Sequence, residues 1–225
     1  MNGSAASNQR AGIRKTVAGL LVFILVLLSL LVFRITRPVE ISAEQLAALG
    51  AVVFDKPRTL QHDVELIDHI GKEFKIARLQ GGWALLFFGY TYCPDVCPTT
   101  LAVMRAMYHE LEPSIQENTQ LIFVSVDPAR DTTTKIAEYM QYFGAGFTGV
   151  SGEFLQLQRL ATDLNTAFYK VPGGGENYLL DHSANIVLIN PKGDYHGFIK
   201  PPFDKSGLTR VYQTVRDAYA SKYGV

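Results

Sequence analysis

The sequence predicts an α/β sandwich with a central mixed sheet, carried behind one N-terminal membrane-spanning helix. Three observations predict it. The run Val17–Phe33 (VAGLLVFILVLLSLLVF) is apolar and uncharged. Two stretches, Trp83–Tyr90 (WALLFFGY) and Gln120–Val126 (QLIFVSV), are continuously apolar at strand length, the pattern of strands buried on both faces of a sheet. Helical patterns alternate with these strands, and a hairpin and a closing helix follow them, as in a layered α/β domain.

The elements read as follows. Residues 1–15 are polar and rich in Ser, Asn and Ala, and are expected to form a disordered cytoplasmic tail. Residues 16–35 are expected to be the transmembrane anchor. Val17–Phe33 reaches about 25 Å as a helix, and Arg34 extends it by snorkelling. A cleaved signal peptide would have a shorter apolar core followed by a small-x-small site, whereas FRITRPVE follows here. Arg10, Arg14, Lys15 and the free amine before the span slightly outweigh Arg34 and Arg37 after it, which favours a cytoplasmic N-terminus.

Residues 36–60 read as a tether. Pro38 and Pro57 bracket a short helix, SAEQLAALG, with Ser42 and Gln45 as a capping box and Gly50 as its stop. The globular domain is placed at 61–225. VELIDHIGKEFKIA reads as a hairpin turning at His69–Gly71. Helices are expected at Val96–Leu111, at Thr132–Phe143 behind an Asp131 cap, at Glu153–Phe168 and at Ser206–Tyr219. Asn185–Asn190 and Asp194–Ile199 form a second hairpin around Pro191-Lys192-Gly193.

Lys plus Arg and Asp plus Glu are 21 each, and no basic run or stripe occurs, so nothing points to nucleic acid. The chain has only two cysteines, Cys93 and Cys97, which argues for one redox or metal site rather than a disulfide scaffold. They lie in FFGYTYCPDVCPTT, where a buried strand gives way to a helix, and ligand sites of open α/β sheets concentrate at such strand ends. If Asp95 caps the helix, Pro98 falls at its third position, where no intrahelical donor is needed. Cys97 then sits in the first turn, where the helix dipole favours a thiolate. The three-residue spacer lets both sulfurs face one pocket, near enough for a disulfide or a shared metal.

Among the five histidines, His62 and His69 read as surface residues and His109 as solvated beside Glu110. His196 lies in the second hairpin and is a further candidate to face the site. His182, in YLLDHSANIVLIN, stands just before a buried strand that neighbours the cysteine strand in a thioredoxin-like sandwich. Two thiolates and an imidazole suit Cu(I), Cu(II) or Zn(II), with softness favouring copper. Met104 and Met107 read as helix core.

CPDVCP, VSVDPARD (Ser125–Asp131 within it) and DHSANIVLINPKG together resemble the SCO/SenC family of copper proteins, which help assemble cytochrome c oxidase. The N-terminal anchor, GAVVFDKPR and LIDHIGKEF also resemble it, and the likeness covers roughly residues 50–220. The resemblance implies a thioredoxin-like fold with an added hairpin, and Cys93, Cys97 and His182 as copper ligands, the cysteines also forming a redox-active disulfide. It further implies a domain facing the periplasm from the bacterial inner membrane. The expected partners are the copper-bearing oxidase subunit and a thiol reductant or copper donor protein. Asp95 and Asp181 are outer-shell candidates, Asp95 as helix cap or thiol-tuning group and Asp181 as the acceptor that orients His182. Asp127 and Asp131 read as turn and cap residues.

Three roles use this site. One is a copper carrier that transfers the ion by ligand exchange, with His182 as leaving ligand. Another is a thiol-disulfide oxidoreductase acting on the same oxidase site, against which stands a spacer one residue longer than C-x-x-C. A sensor would use the same residues. VCPTT resembles a peroxiredoxin motif, but Pro94 stands where that chemistry needs Thr or Ser.

Overall fold

The computed structural model describes residues 3–36, 42–144 and 146–224. In chain order the elements are α1 (Gly3–Thr36), α2 (Ala43–Ala48), β1 (Ala51–Arg58), β2 (Glu65–Asp68), β3 (Glu73–Lys75), β4 (Trp83–Gly89), α3 (Val96–Glu110), α4 (Pro113–Glu117) and β5 (Thr119–Ser125). There follow α5 (Thr133–Phe143), β6 (Phe147–Ser151), α6 (Phe154–Asp163), β7 (Phe168–Lys170), β8 (Leu180–His182), β9 (Ile186–Ile189), β10 (Tyr195–Ile199) and α7 (Lys205–Tyr223). Helix α1 belongs to a unit separate from the one at 41–216, which holds every strand. Lys15–Arg34 is long and apolar enough to cross a membrane. The helix starts at Gly3, so the segment expected to be disordered continues it; Ala5, Ala6, Gln9, Arg10 and Ala11 all favour helix.

Eight strands form one mixed sheet in the order β1-β10-β9-β4-β5-β6-β2-β3. β4, β5 and β6 run parallel, and the outer pairs are antiparallel. All seven residues of β4 are buried, because both faces of the sheet are covered. On one face Ala84, Leu86, Phe88, Ile122, Val124, Val187 and Ile189 join Leu157, Leu160 and Ala161 of α6 in a single core cluster. On the other, α5 brings Tyr139 to 5.5 Å from Phe123. It lies so close that a Cβ on Gly149 would come within 2.3 Å of Ile136 Cγ2. Tyr212 of α7 closes the lower end of this face, 6.3 Å from Trp83 and bonded at 2.7 Å to Thr119. Each fully buried Leu, Val or Phe contributes roughly 1.5–3 kcal/mol, so these two layers supply most of the cohesion.

Several expectations are corrected. Ala51–Arg58, read as tether, pairs antiparallel with β10 as the edge strand of the sheet, although the capping box of α2 forms as expected. The third helix stops at Asp163: Asn165 adopts a left-handed backbone (φ 51), and Phe168 begins a strand. Asp131 does not cap α5; Thr132 does, its Oγ1 accepting from Lys135 N. Strands β6, β7 and β8 were not expected. β7 and β8 form a separate antiparallel ribbon, with Phe168, Tyr169 and Lys170 paired to His182, Asp181 and Leu180.

Candidate metal centre

The centre lies at the C-terminal end of β4, where the chain turns into α3. Cys93 N–H donates to Tyr90 O (3.2 Å), which folds the turn back on the strand. Asp95 occupies the cap position of α3, but with φ −144° and ψ −71° its side chain makes no capping bond. The Cys93 sulfur takes that role instead, accepting from Cys97 N–H at 3.4 Å. Cys97 is buried and Cys93 half-buried, and neither is in a disulfide. Gly89 makes room for Cys97, because a Cβ there would stand 2.8 Å from Cys97 Sγ and 3.0 Å from Phe123 Cε2.

His182 arrives from β8 on the ribbon. Its Nε2 is 3.3 Å from Cys97 Sγ, and its ring meets Phe87 and Tyr90 edge-on at 5.8 and 6.0 Å. Nδ1 lies 3.3 Å from Ser183 O. A carbonyl only accepts, so a bond there places the proton on Nδ1 and leaves the Nε2 lone pair facing the sulfurs. Among the described residues, Cys93, Cys97 and His182 are the only cluster of three or more potential metal-ligating side chains, with ligand atoms all within 4.8 Å of one another. A cleft of about 340 Å³ opens over them, lined by Tyr90, Cys93, Asp95, Val171, Leu180 and His182 among others.

The two thiols are electrostatically unequal. A hydrogen bond from the Cys97 thiol, with the N–H groups of Asp95 and Cys97, outweighs burial and brings Cys93 down to about 4. Cys97 is pushed up, first by the Cys93 sulfur and then by its own burial. Cys93 is therefore the thiolate and Cys97 the proton holder, with Cys93 and His182 Nε2 as its acceptors.

The other candidates have other partners. Asp181 accepts from Tyr169 Oη at 2.5 Å and does not orient His182. Neighbours on a strand point to opposite sides, so sequence adjacency works against that role. His196 is buried at 5.1 Å from Trp83, away from the cysteines. His62 bonds Asp163 at 2.7 Å, and His69 Nδ1 accepts from Gly149 N–H at 3.1 Å. Met104 and Met107 are core. Sequence reasoning takes Asp127 and Asp131 as turn and cap residues and misses what the loop Asp127–Asp131 holds together. Asp131 accepts from Thr91 N–H (2.9 Å), Thr91 Oγ1 (2.6 Å) and Ser125 Oγ (2.6 Å), and so anchors the cysteine loop. Asp127 accepts from Arg130 Nε and from Tyr178 Oη, each at 2.6 Å. VSVDPARD had been a likeness only; no periodicity marks such cross-chain bonds.

The fold and this cluster define a thioredoxin-like α/β protein with two thiols and an imidazole converging at a strand end. The SCO1/SenC family profile matches residues 55–216, and the chain belongs to that family. It is 40% identical over 154 residues to a Stutzerimonas stutzeri protein named for copper binding, covering 68% of this chain and 76% of that one. It is 30% identical over 187 residues to the mitochondrial protein SCO2 of Saccharomyces cerevisiae, covering 81% of this chain and 60% of the yeast protein, so it spans less than two-thirds of that relative. The crystal structure of Arabidopsis thaliana ScoI with copper bound superposes with a TM-score of 0.64 at 28% identity, covering 72% of this chain and 99% of that one.

Proposed function

We propose that this chain is a membrane-anchored copper chaperone that holds copper through Cys93, Cys97 and His182. It passes the ion to the dinuclear copper centre of cytochrome c oxidase during assembly. The observation that carries the reading is the convergence of two sulfurs and one imidazole nitrogen within 4.8 Å. This donor set suits a soft ion, and a relative at 40% identity is named for copper binding. Copper is cargo here. Cys93 meets it already as a thiolate, Cys97 gives up its proton as the ion binds, and His182 presents Nε2 from a ribbon outside the main sheet. Uptake should therefore release protons. Lys15–Arg34 holds the domain at the inner membrane on its periplasmic side, where the oxidase subunit that receives copper is reached.

A second reading shares the site. Cys93 is the more accessible sulfur and the thiolate, while Cys97 is buried behind it. Cys93 would attack a disulfide of the oxidase subunit, forming a mixed disulfide and expelling one partner thiolate. Cys97 would then attack Cys93, freeing the partner's second thiol and leaving a Cys93–Cys97 disulfide. A thiol reductant would have to restore the dithiol.

Anaerobic titration of the full chain in detergent, with and without Cys93→Ser, tests the ligand set. The reduced protein should bind one copper and the disulfide form none; equal uptake by both refutes the assignment. His182→Ala separates the two roles. Delivery predicts a strong loss of Cu(II) binding, a smaller loss of Cu(I) binding and reduced oxidase activity in cells at normal protein level. Thiol exchange needs only the sulfurs, so normal oxidase activity would favour reduction.

A further inference from the structure

His182 is not held by the main sheet. It rides on the β7–β8 ribbon, whose connection contains Gly173 (φ 96°) and Gly175 (φ 57°), so something must fix that ribbon over the cysteines. Its base is fixed by packing: Phe168 and Leu180 lie against the core, and Ser183 N–H donates to Ala167 O at 2.9 Å. Its far end meets a different surface. Tyr178, four residues before His182, donates to Asp127 Oδ1. The Arg130 guanidinium lies 3.5 Å from the centre of the Tyr178 ring, and the Lys170 ammonium lies 3.6 Å from it. The same guanidinium lies 4.9 Å from the ring of Tyr92, next to Cys93.

Arg130 and Asp127 are themselves an ion pair at 2.6 Å, with side chains 17% and 3% exposed. Arg130 Nη2 is buried without a hydrogen-bond partner among the described residues, so aromatic faces supply part of what water would have given it. The neighbouring Asp131 ties down the cysteine loop through Thr91. One five-residue loop thus grips both halves of the centre, through Asp131 on the cysteine side and through Asp127 and Arg130 on the histidine side. An exposed turn residue would have no need of a buried, doubly stacked guanidinium.

We propose that Asp127 and Arg130 are positioning residues that latch the His182 ribbon through Tyr178, setting where the imidazole stands relative to the two sulfurs. The copper consequence rests on the proposed function; the latch itself does not. With the latch released, His182 leaves the centre while the sulfurs stay in place, so the third ligand comes and goes independently of the first two.

The test uses the full chain in detergent carrying Tyr178→Phe, which keeps the ring and loses the Oη bond, or Arg130→Met. In the metal-free protein, amides of 168–171 and 178–183 should exchange about tenfold faster in each variant, while those of β4 and β9 keep their wild-type rates. Cu(II) affinity should fall about tenfold and Cu(I) affinity less than about threefold, since two thiolates alone satisfy Cu(I). On a His182→Ala background, Tyr178→Phe should cost nothing further, because its whole effect runs through the imidazole. Unchanged ribbon exchange, acceleration spread over the whole domain, or an equal Cu(II) loss without His182 would each overturn the proposal. If the wild-type chain takes up no copper, the chaperone reading falls, and ribbon exchange alone still decides the latch. Should Arg130→Met fail to fold, Tyr178→Phe carries the test.

Discussion

Replacing Gly89 by alanine perturbs the centre through one methyl group. The added Cβ would stand 2.8 Å from Cys97 Sγ, 3.0 Å from Phe123 Cε2 and 3.3 Å from Phe87 Cε1. Ordinary contact begins near 3.4 Å. The sulfur must therefore retreat by about 0.6 Å, or the strand must shift by a similar amount. Phe87 and Phe123 are fully buried and cannot yield, so the displacement falls on Cys97 and carries it out of register with Cys93 and His182. Overpacking of this size costs about 1–3 kcal/mol of stability. Gly82→Ala is the matched control. Its Cβ would stand 2.8 Å from Asn118 O, just before the opposite end of the same strand. Both variants should lose stability in denaturant melts, but only Gly89→Ala should weaken copper binding, by about tenfold, and shift the sulfur-to-copper absorption band. Equal copper affinity in the two variants would refute the claim that Gly89 exists to seat Cys97.

Three further outcomes are expected. Iodoacetamide should label Cys93 in the native protein well below pH 7 and leave Cys97 untouched. Cys97→Ala, which removes the donor, should move the labelling midpoint of Cys93 upward from about 4 toward an ordinary thiol's 9.0, and mass spectrometry showing Cys97 labelled first would reverse the assignment. Burial pushes the Asp68 carboxyl up, but Lys72 N–H, the Arg78 guanidinium and Ile70 N–H outweigh it and hold the group below 3.8. A depressed carboxylate stabilises above its unfolded value and loses that contribution as pH falls through its native one, so Asp68→Asn should flatten the stability profile below about pH 4; an unchanged acid limb in melts would contradict this. A reporter active only in the periplasm, fused after the last residue, should be active in cells, and cytoplasmic activity would remove both the orientation and the delivery role.

How far the chain could be read from its letters depended on what each feature needs. β4 and β5 were legible because continuous apolar runs at strand length have few alternative homes. Cys93 and Cys97 were legible because a lone pair of cysteines at a strand-to-helix turn is chemically conspicuous. His182 was singled out by its place before a buried strand and then by family likeness; nothing local says that its ribbon folds over the thiols. Asp181 misled because it faces the opposite way from its strand neighbour His182 and accepts from Tyr169 instead. Ala51–Arg58 looked like a tether because Asp55, Lys56 and Pro57 interrupt it, yet an edge strand tolerates such residues where a central strand would not. Asp127, Arg130 and Tyr178 stand up to 51 residues apart, and only the folded chain brings them together.

The ribbon that carries His182 also bears on how such a centre diversifies. Because, among the described residues, β7 and β8 pair only with each other, residues 171–179 lengthen or shorten without altering the register of any strand in the eight-stranded sheet. The two sulfurs, by contrast, are rooted in the turn that ends β4 and cannot shift without disturbing the core. On the proposed ligand assignment, affinity for a soft ion is inherited with the fold, while the identity, reach and lifetime of the third ligand sit on a replaceable segment. A library confined to 171–179 should yield variants of unchanged melting temperature that sort by their preference between the two copper oxidation states.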